Sequence, residues 1–230
     1  MTKQDLEGRL AALEATTRQL QQRLDRAADY IAIQNLASRY QFYHQPSTMA
    51  RSFELFAQQT PGVSVAISGG VEEGLDRVKA FWTKTSPFPP VGVMLEHQLT
   101  TPLIEVAEDG LTAKAVWMSP GHETVPGLLP GGHWAWGRYA IDFVKEDGAW
   151  KIWHLRYYPT IRVRCGQDWA DGPEPPSDAL VRHRAGQQPS RPLADDSIYR
   201  PDAVRTLHPP LPEPYRSFQD LPVAGHGDDA

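Results

Sequence analysis

The chain has 230 residues, with 23 lysines and arginines against 28 aspartates and glutamates, for a formal net charge of −5. It carries no basic surplus to match a polyphosphate backbone, which argues against nucleic acid as a partner. No apolar run reaches the roughly 18 residues that a bilayer-spanning helix needs, so no membrane partner is expected. This length can hold one domain with a real core plus extensions. The opening MTKQDLEGRLAALEATTRQL is charged and helical, without the apolar stretch of a signal peptide, so the expected location is cytoplasmic. A single cysteine, Cys165, rules out an intrachain disulfide and reads as a structural thiol.

Residues 1–28 are expected to form an N-terminal helix. Leu6, Leu13 and Leu20 recur every seven residues, and Leu10, Leu24 and Ile31 fit the second seam, with Thr17 as its weak link. One small domain would not cover such a stripe, so an oligomer contact is favoured over a helix lying on its own domain. Residues 29–163 follow as the domain. Asp29 is placed to start its first helix, with Ile33, Leu36, Ala37 and Tyr40 at helical spacing. Gln45-Pro46-Ser47-Thr48 breaks that helix, and SFELFAQ makes a short second one. VSVAIS is a strand, Gly69-Gly70 a turn, and 74–84 a helix. Strands are predicted at 94–106, 112–119, 133–145 and 149–161. The triplets Glu108-Asp109-Gly110 and Glu146-Asp147-Gly148 put glycine where a hairpin wants positive φ. Between Pro120 and Gly132 the sequence PGHETVPGLLPGG has no strand character and reads as a lid or rim loop.

Residues 164–230 hold eleven of the 21 prolines and cannot build a core alone. Yet Ile198, Tyr199, Val204, Leu207, Leu211, Tyr215, Phe218 and Leu221 recur through them. This pattern predicts an extended proline-rich arm packed on its own domain or on a neighbouring subunit, ending in a loose AGHGDDA.

No motif for a nucleotide, a zinc protease or a nucleophile elbow is present. The eight histidines are scattered, with no HxH or HxxxH pair, so the spacing calls for no metal and no cofactor is expected. What remains is acid–base chemistry by His, Tyr and Arg in an apolar setting.

The element order of 30–162 is helix, helix, strand, helix and then a run of long antiparallel strands ending in HWAWGRYAIDFVKEDGAWKIWHLRYYPTI. It resembles the SnoaL-like family of the nuclear transport factor 2-like superfamily, the scytalone dehydratase-like cone. The resemblance implies an α+β fold in which a curved antiparallel sheet wraps N-terminal helices around a cavity. It also implies an inward histidine at His97 in MLEHQLTTPLIEV and a tyrosine at Tyr40 near the end of the first helix. His44, one turn later, stands where many members have an aspartate that works with a histidine; this departure favours a His/Tyr site over a carboxylate–histidine dyad.

Alternation sets Tyr139, Ile141 and Phe143 against Arg138, Ala140 and Asp142. It also sets Ile152, His154, Arg156 and Tyr158 against Trp153, Leu155 and Tyr157. We assign Tyr139 and His154 to the inside; the alternative puts His154 and Arg156 on the outer side of the sheet. His97, Tyr40, Tyr139, His154 and His44 are therefore the catalytic candidates. Trp117, Trp136, Trp82, Arg138 and Tyr158, with His122 from the lid, are the substrate-binding candidates.

The abundance of tryptophan in the domain suits a flat aromatic ligand. Related enzymes dehydrate, isomerise or cyclise phenolic and polycyclic compounds, and some of this fold release formaldehyde from lignin-derived diaryl compounds. The expectation is a cofactor-independent lyase or dehydratase for a hydroxylated aromatic small molecule, assembled as a dimer or trimer. The rivals are an isomerase or polyketide cyclase, and a non-catalytic binding or assembly module of the same fold.

Overall fold

A computed structural model describes residues 2–67, 70–84, 91–173, 188–193 and 197–220, and the structural statements below concern these. Leu221 and the terminal AGHGDDA lie outside them. One helix, α1, runs unbroken over Lys3–Phe42. Thr2 caps it: its hydroxyl accepts from the Asp5 N–H, and the Asp5 carboxylate accepts from the Thr2 N–H. Asp29 therefore does not start a helix. Instead its carboxylate accepts from Lys145 Nζ and Trp150 Nε1, each at 2.8 Å, which pins the middle of α1 to the sheet. Residues 2–28 are exposed throughout, whereas Ile33, Ala37 and Tyr40 are fully buried.

A 3₁₀ turn at Met49–Leu55 leads into β1 (Ser64–Ile67), β2 (Gly70–Glu73) and helix α2 (Leu75–Lys84). Next come β3 (Met94–His97), β4 (Thr100–Val106), β5 (Thr112–Ser119), β6 (Gly121–Thr124), β7 (Gly132–Glu146) and β8 (Ala149–Arg164), and a short β9 (Arg191–Pro192). The expected single strand at 94–106 is two strands with a break at Gln98-Leu99. The expected lid contains a strand: Pro120, which has no N–H to give the ladder, bends the chain from β5 into β6, leaving only 125–131 as loop.

The sheet order is β3-β6-β7-β8-β1-β2-β9, and β5 lies along the rest of β7 with β4 outside it. Long β7 thus carries both β5 and β6 on one edge, so the sheet curls. Its concave face holds Ala113, Ala115, Trp117, Ile141, Phe143, Ile152 and Leu155, packed on Ile33 and Ala37 of α1.

Two β-bulges in β8 decide what faces inward. Phe143 pairs with Ile152 but Asp142 with His154, so Trp153 is an extra residue; Gly137 pairs with Pro159 but Trp136 with Ile161, so Thr160 is another. Each extra residue reverses the alternation. Ile152, Leu155 and Tyr157 point inward, while His154, Arg156 and Tyr158 sit on the opposite, convex face.

The C-terminal arm covers that convex face on its own domain. Ser197 Oγ donates to the Pro159 carbonyl and the Tyr199 N–H to that of Thr160, both at 2.8 Å. Arg138 hydrogen-bonds the His208 carbonyl, and the His208 ring lies 4.8 Å from that of Tyr158. Tyr215 is buried, its hydroxyl 3.1 Å from Thr112 Oγ1. Phe218 packs 4.6 Å from Trp153. Among the described residues no helix is long and apolar enough to cross a membrane.

Candidate active site

Five elements meet at one end of the concave face. The last turn of α1 supplies Tyr40 and, just beyond it, His44; α2 supplies Trp82; the end of β3 supplies His97; β7 and β8 supply Tyr139, Tyr157 and Arg162. Ring centroids lie 4.6 Å apart for Tyr40–His44, 5.6 Å for Tyr40–Trp82, 6.0 Å for Tyr40–Tyr139, 6.1 Å for His44–His97 and 5.8 Å for His97–Tyr157. This places His97, His44, Tyr40, Tyr139 and Trp82 together, within one shell of rings.

The cluster also contains an ion pair that the sequence did not reveal. Glu123 on β6 is nearly fully buried and meets Arg162 at 2.7 Å. Its other oxygen stands 3.8 Å from His97 Nε2, too far for a hydrogen bond. Glu123 falls in the stretch read as loop, and Arg162 lies just past the predicted end of the last strand at 161. Among the described residues, the signal for both was limited to their being charged residues beside strands. Gly121 lets His97 fit: a Cβ there would sit 2.7 Å from both His97 Nδ1 and the Glu96 carbonyl.

Burial dominates the ionisation of these groups. It pushes the His97 imidazole down to about 4, with the Arg162 and His122 charges acting the same way. It takes His44 down to about 3, aided by His97 and opposed by the bond to the Tyr40 carbonyl. Because that carbonyl can only accept, His44 Nδ1, at 3.2 Å, carries the proton. The Tyr40 and Tyr139 hydroxyls are both raised, chiefly by burial. At neutral pH the site therefore offers two uncharged imidazoles and two protonated phenols.

Several polar atoms here are buried with no aligned hydrogen-bond partner among the described residues: Tyr40 Oη, both ends of the Gln41 amide, Trp82 Nε1 and His97 Nδ1. Tyr40 and Gln41 are close enough to Tyr139 to favour its ionised form, though not aligned with it. Folded proteins leave few buried polar groups unpaired, and so dense a set in one place makes this cluster the candidate site.

The other candidates lie elsewhere. His154 is not inward: the Trp153 bulge turns it onto the convex face, where its Nδ1 donates to Asp142 at 3.0 Å and Phe218 of the arm packs beside it. Arg138 and Tyr158 are on that same face and hold the arm. Trp136 is on that side too and is 46 % exposed. Trp117 faces inward but is fully buried in the core, its indole N–H bonded to Gln34. His122 is half-exposed and pairs with Glu96 at 3.1 Å. Among the described residues, no three His, Cys, Asp or Glu side chains converge as a metal-binding group.

This curved open sheet with helices against one face is the nuclear transport factor 2-like cone. A family model for the SnoaL-like domain matches residues 25–156, more than half of the chain, and the protein belongs to that family. Similar solved structures show the same fold. One is a protein from Novosphingobium aromaticivorans assigned provisionally as a scytalone dehydratase; it is 17 % identical, with 63 % of this chain and 97 % of that chain covered and a TM-score of 0.50. Another is the hexachlorocyclohexane dehydrochlorinase LinA-type3 of Novosphingobium barchaimii, 17 % identical over 63 % of this chain and 95 % of that chain, at a TM-score of 0.52. A third is a variant of Rv3472, a Mycobacterium tuberculosis protein of unknown function, 21 % identical over 68 % and 91 % of the two chains, at a TM-score of 0.50. No functionally curated protein matches the sequence. The family and its fold support a small-molecule-processing enzyme.

Proposed function

We propose that this protein is a cofactor-independent acid–base lyase or dehydratase acting on a hydroxylated aromatic compound, phenolic or diaryl, and working in a reducing compartment such as the cytoplasm, which suits its exposed free Cys165. The observation that carries the reading is His97: an imidazole held neutral by burial, its ring against His44 and Tyr157, which in turn touch Tyr40 and Tyr139, two phenols held protonated. A neutral imidazole can take a proton, and a phenol held in its protonated form can give one.

In a dehydration, His97 removes a proton from carbon, the electrons of that C–H bond form the double bond, and the C–O bond breaks. Tyr40 or Tyr139 protonates the departing hydroxyl, which leaves as water. In the formaldehyde-releasing variant His97 takes the proton of a primary alcohol. The C–C bond then breaks, formaldehyde leaves, and the released electrons expel the neighbouring protonated hydroxyl. Trp82 and Tyr157 would sandwich the ring, and Arg162, anchored by Glu123, would set the field around His97.

The test is a panel of phenolic and diaryl alcohols offered to purified protein after exhaustive chelation and dialysis, with products followed by mass. A product lighter by one water, about 18 mass units, or by formaldehyde and water together, about 48, at an undiminished rate supports the reading. A shift in double-bond position without loss of mass would make it an isomerase, and a rate restored only by an added metal would overturn the cofactor-free chemistry.

A further inference from the structure

Residues 2–28, about seven turns of α1, are exposed along their whole length, roughly 40 Å at 1.5 Å per residue, and among the described residues no apolar side chain covers their leucines. Along it Leu6, Leu10, Leu13, Leu20, Leu24 and Ile31 are between 49 % and 63 % exposed. Most helical stability in proteins comes from packing an apolar face, and a leucine stripe of this length calls for a cover.

The flanking charges say what that cover is. With the leucines of the 6–13–20 series at heptad position d, Leu10, Thr17, Leu24 and Ile31 fall at a. Position e then reads Glu7, Glu14, Gln21, and position g reads Arg9, Thr16, Arg23. In a parallel coil each g residue faces the e residue five positions on in the other strand. Arg9 of each chain then meets Glu14 of the other, twice by symmetry. In an antiparallel coil with full overlap, Arg9 would meet Tyr30 and Glu14 would meet Gln21, so neither ion pair forms.

The one polar residue of the seam points the same way. In a parallel in-register pair Thr17 faces its own counterpart, and the two hydroxyls share a layer. A slip of one heptad sets Thr17 against Leu10 or Leu24, and the antiparallel arrangement sets it against Leu20; each buries a hydroxyl against leucine. A single polar a position is a recognised way of fixing register.

We propose that residues 3–31 form a parallel, in-register, two-stranded coiled coil with a second copy of this chain. The leucine layers hold the strands together, while the Arg9–Glu14 pairs and the Thr17 layer set direction and register. Both catalytic domains then hang from the same end of the coil, and each keeps its arm on its own sheet. This assembly does not depend on the chemistry proposed for the site.

The test uses the full chain in a Cys165→Ser background. Light scattering at tens of micromolar should give the mass of two chains. Leu20→Cys should form a covalent dimer under mild oxidation, because only the parallel in-register coil sets residue 20 against itself. Leu13→Glu/Leu20→Glu should halve the mass while the domain's melting temperature stays put. Glu14→Arg should weaken the dimer, and adding Arg9→Glu should restore it. A monomeric parent, a dimer that survives the double glutamate variant, or a Leu20→Cys protein that stays reduced while a Thr17→Cys/Leu20→Cys protein crosslinks would each overturn the proposal.

Discussion

Each face of the sheet carries a histidine beside a carboxylate, and the two pairs are built differently. On the convex face His154 Nδ1 donates to Asp142 at 3.0 Å, flanked by Trp153 and covered by Phe218 of the arm. On the concave face His97 stands 3.8 Å from Glu123, whose charge is met by Arg162 instead. By geometry alone, His154–Asp142 is the better dyad. It is a better dyad because it is a structural one: its partner is aligned and the arm lies over it. His97 lacks an aligned bond, is held neutral by burial and faces rings and phenols, which leaves its lone pair available to a ligand. Under the proposed function, the well-made hydrogen bond belongs to the outward histidine, and the inward one is picked out by its surroundings.

The sharpest way to break this contrast is to remove each imidazole in turn. His97→Ala is expected to keep its fold and lose about 10²–10⁴-fold in turnover, the usual cost of a missing general base. His154→Ala should keep its turnover and lower the melting temperature. Activity assays beside thermal melts on both variants would show it, and the reverse pattern would move the site to the convex face.

A smaller effect separates Glu123 from Asp142. Arg162→Met leaves the Glu123 carboxylate buried without its cation. Breaking a fully buried pair costs about 3–5 kcal/mol, but Arg162 is 32 % exposed, so a loss of about 2 kcal/mol is expected, together with reduced turnover. Adding Glu123→Gln should recover part of the stability, since no charge is then stranded. Denaturant titration of the single and double variants measures both; a double variant no better than the single would mean that the pair contributes only through packing.

The smallest effect tests the arm. Tyr215→Phe removes the 3.1 Å hydrogen bond to Thr112 while keeping the ring buried. A loss of about 1 kcal/mol with unchanged turnover is expected. A change in KM or kcat would tie the arm to catalysis instead of to the convex face alone.

The order of the helices and of the long strands β5, β7 and β8 was legible in the sequence, because periodicity and turn residues carry it, whereas the four-residue strands β2, β3 and β6 were not read as separate strands. The β7–β8 hairpin turns at Asp147-Gly148, with the positive φ at Gly148 that the Glu-Asp-Gly triplet called for, and the helix that carries Tyr40, with His44 just past its end, was plain from spacing. The helix start at Asp29 was misread because a residue suited to capping here bonds the sheet from mid-helix. The inward set of β8 was illegible for a physical reason: strand alternation is a parity rule, and one unpaired residue reverses it. Trp153 does so, sending His154, Arg156 and Tyr158 outward, and Thr160 reverses it again, so that Arg162 returns to the side of Ile152. Glu123 was hidden because Pro120 and the glycines around β6 resemble loop sequence, although the backbone there pairs on both sides.

The most direct test of His97 as a neutral base is the acid limb of kcat/KM. Burial lowers its pKa from 6.5 to about 4, so the folded protein holds fewer protons than the unfolded chain between those values. That contribution to stability is complete above pH 6.5 and is lost as pH falls toward 4; circular dichroism at each pH keeps unfolding apart from titration. With the fold intact, kcat/KM should stay level from neutral pH downward and fall only near pH 4, and the residual rate of His97→Gln should show no such limb. A limb near pH 6.5 in the parent, or the same limb in His97→Gln, would contradict the account.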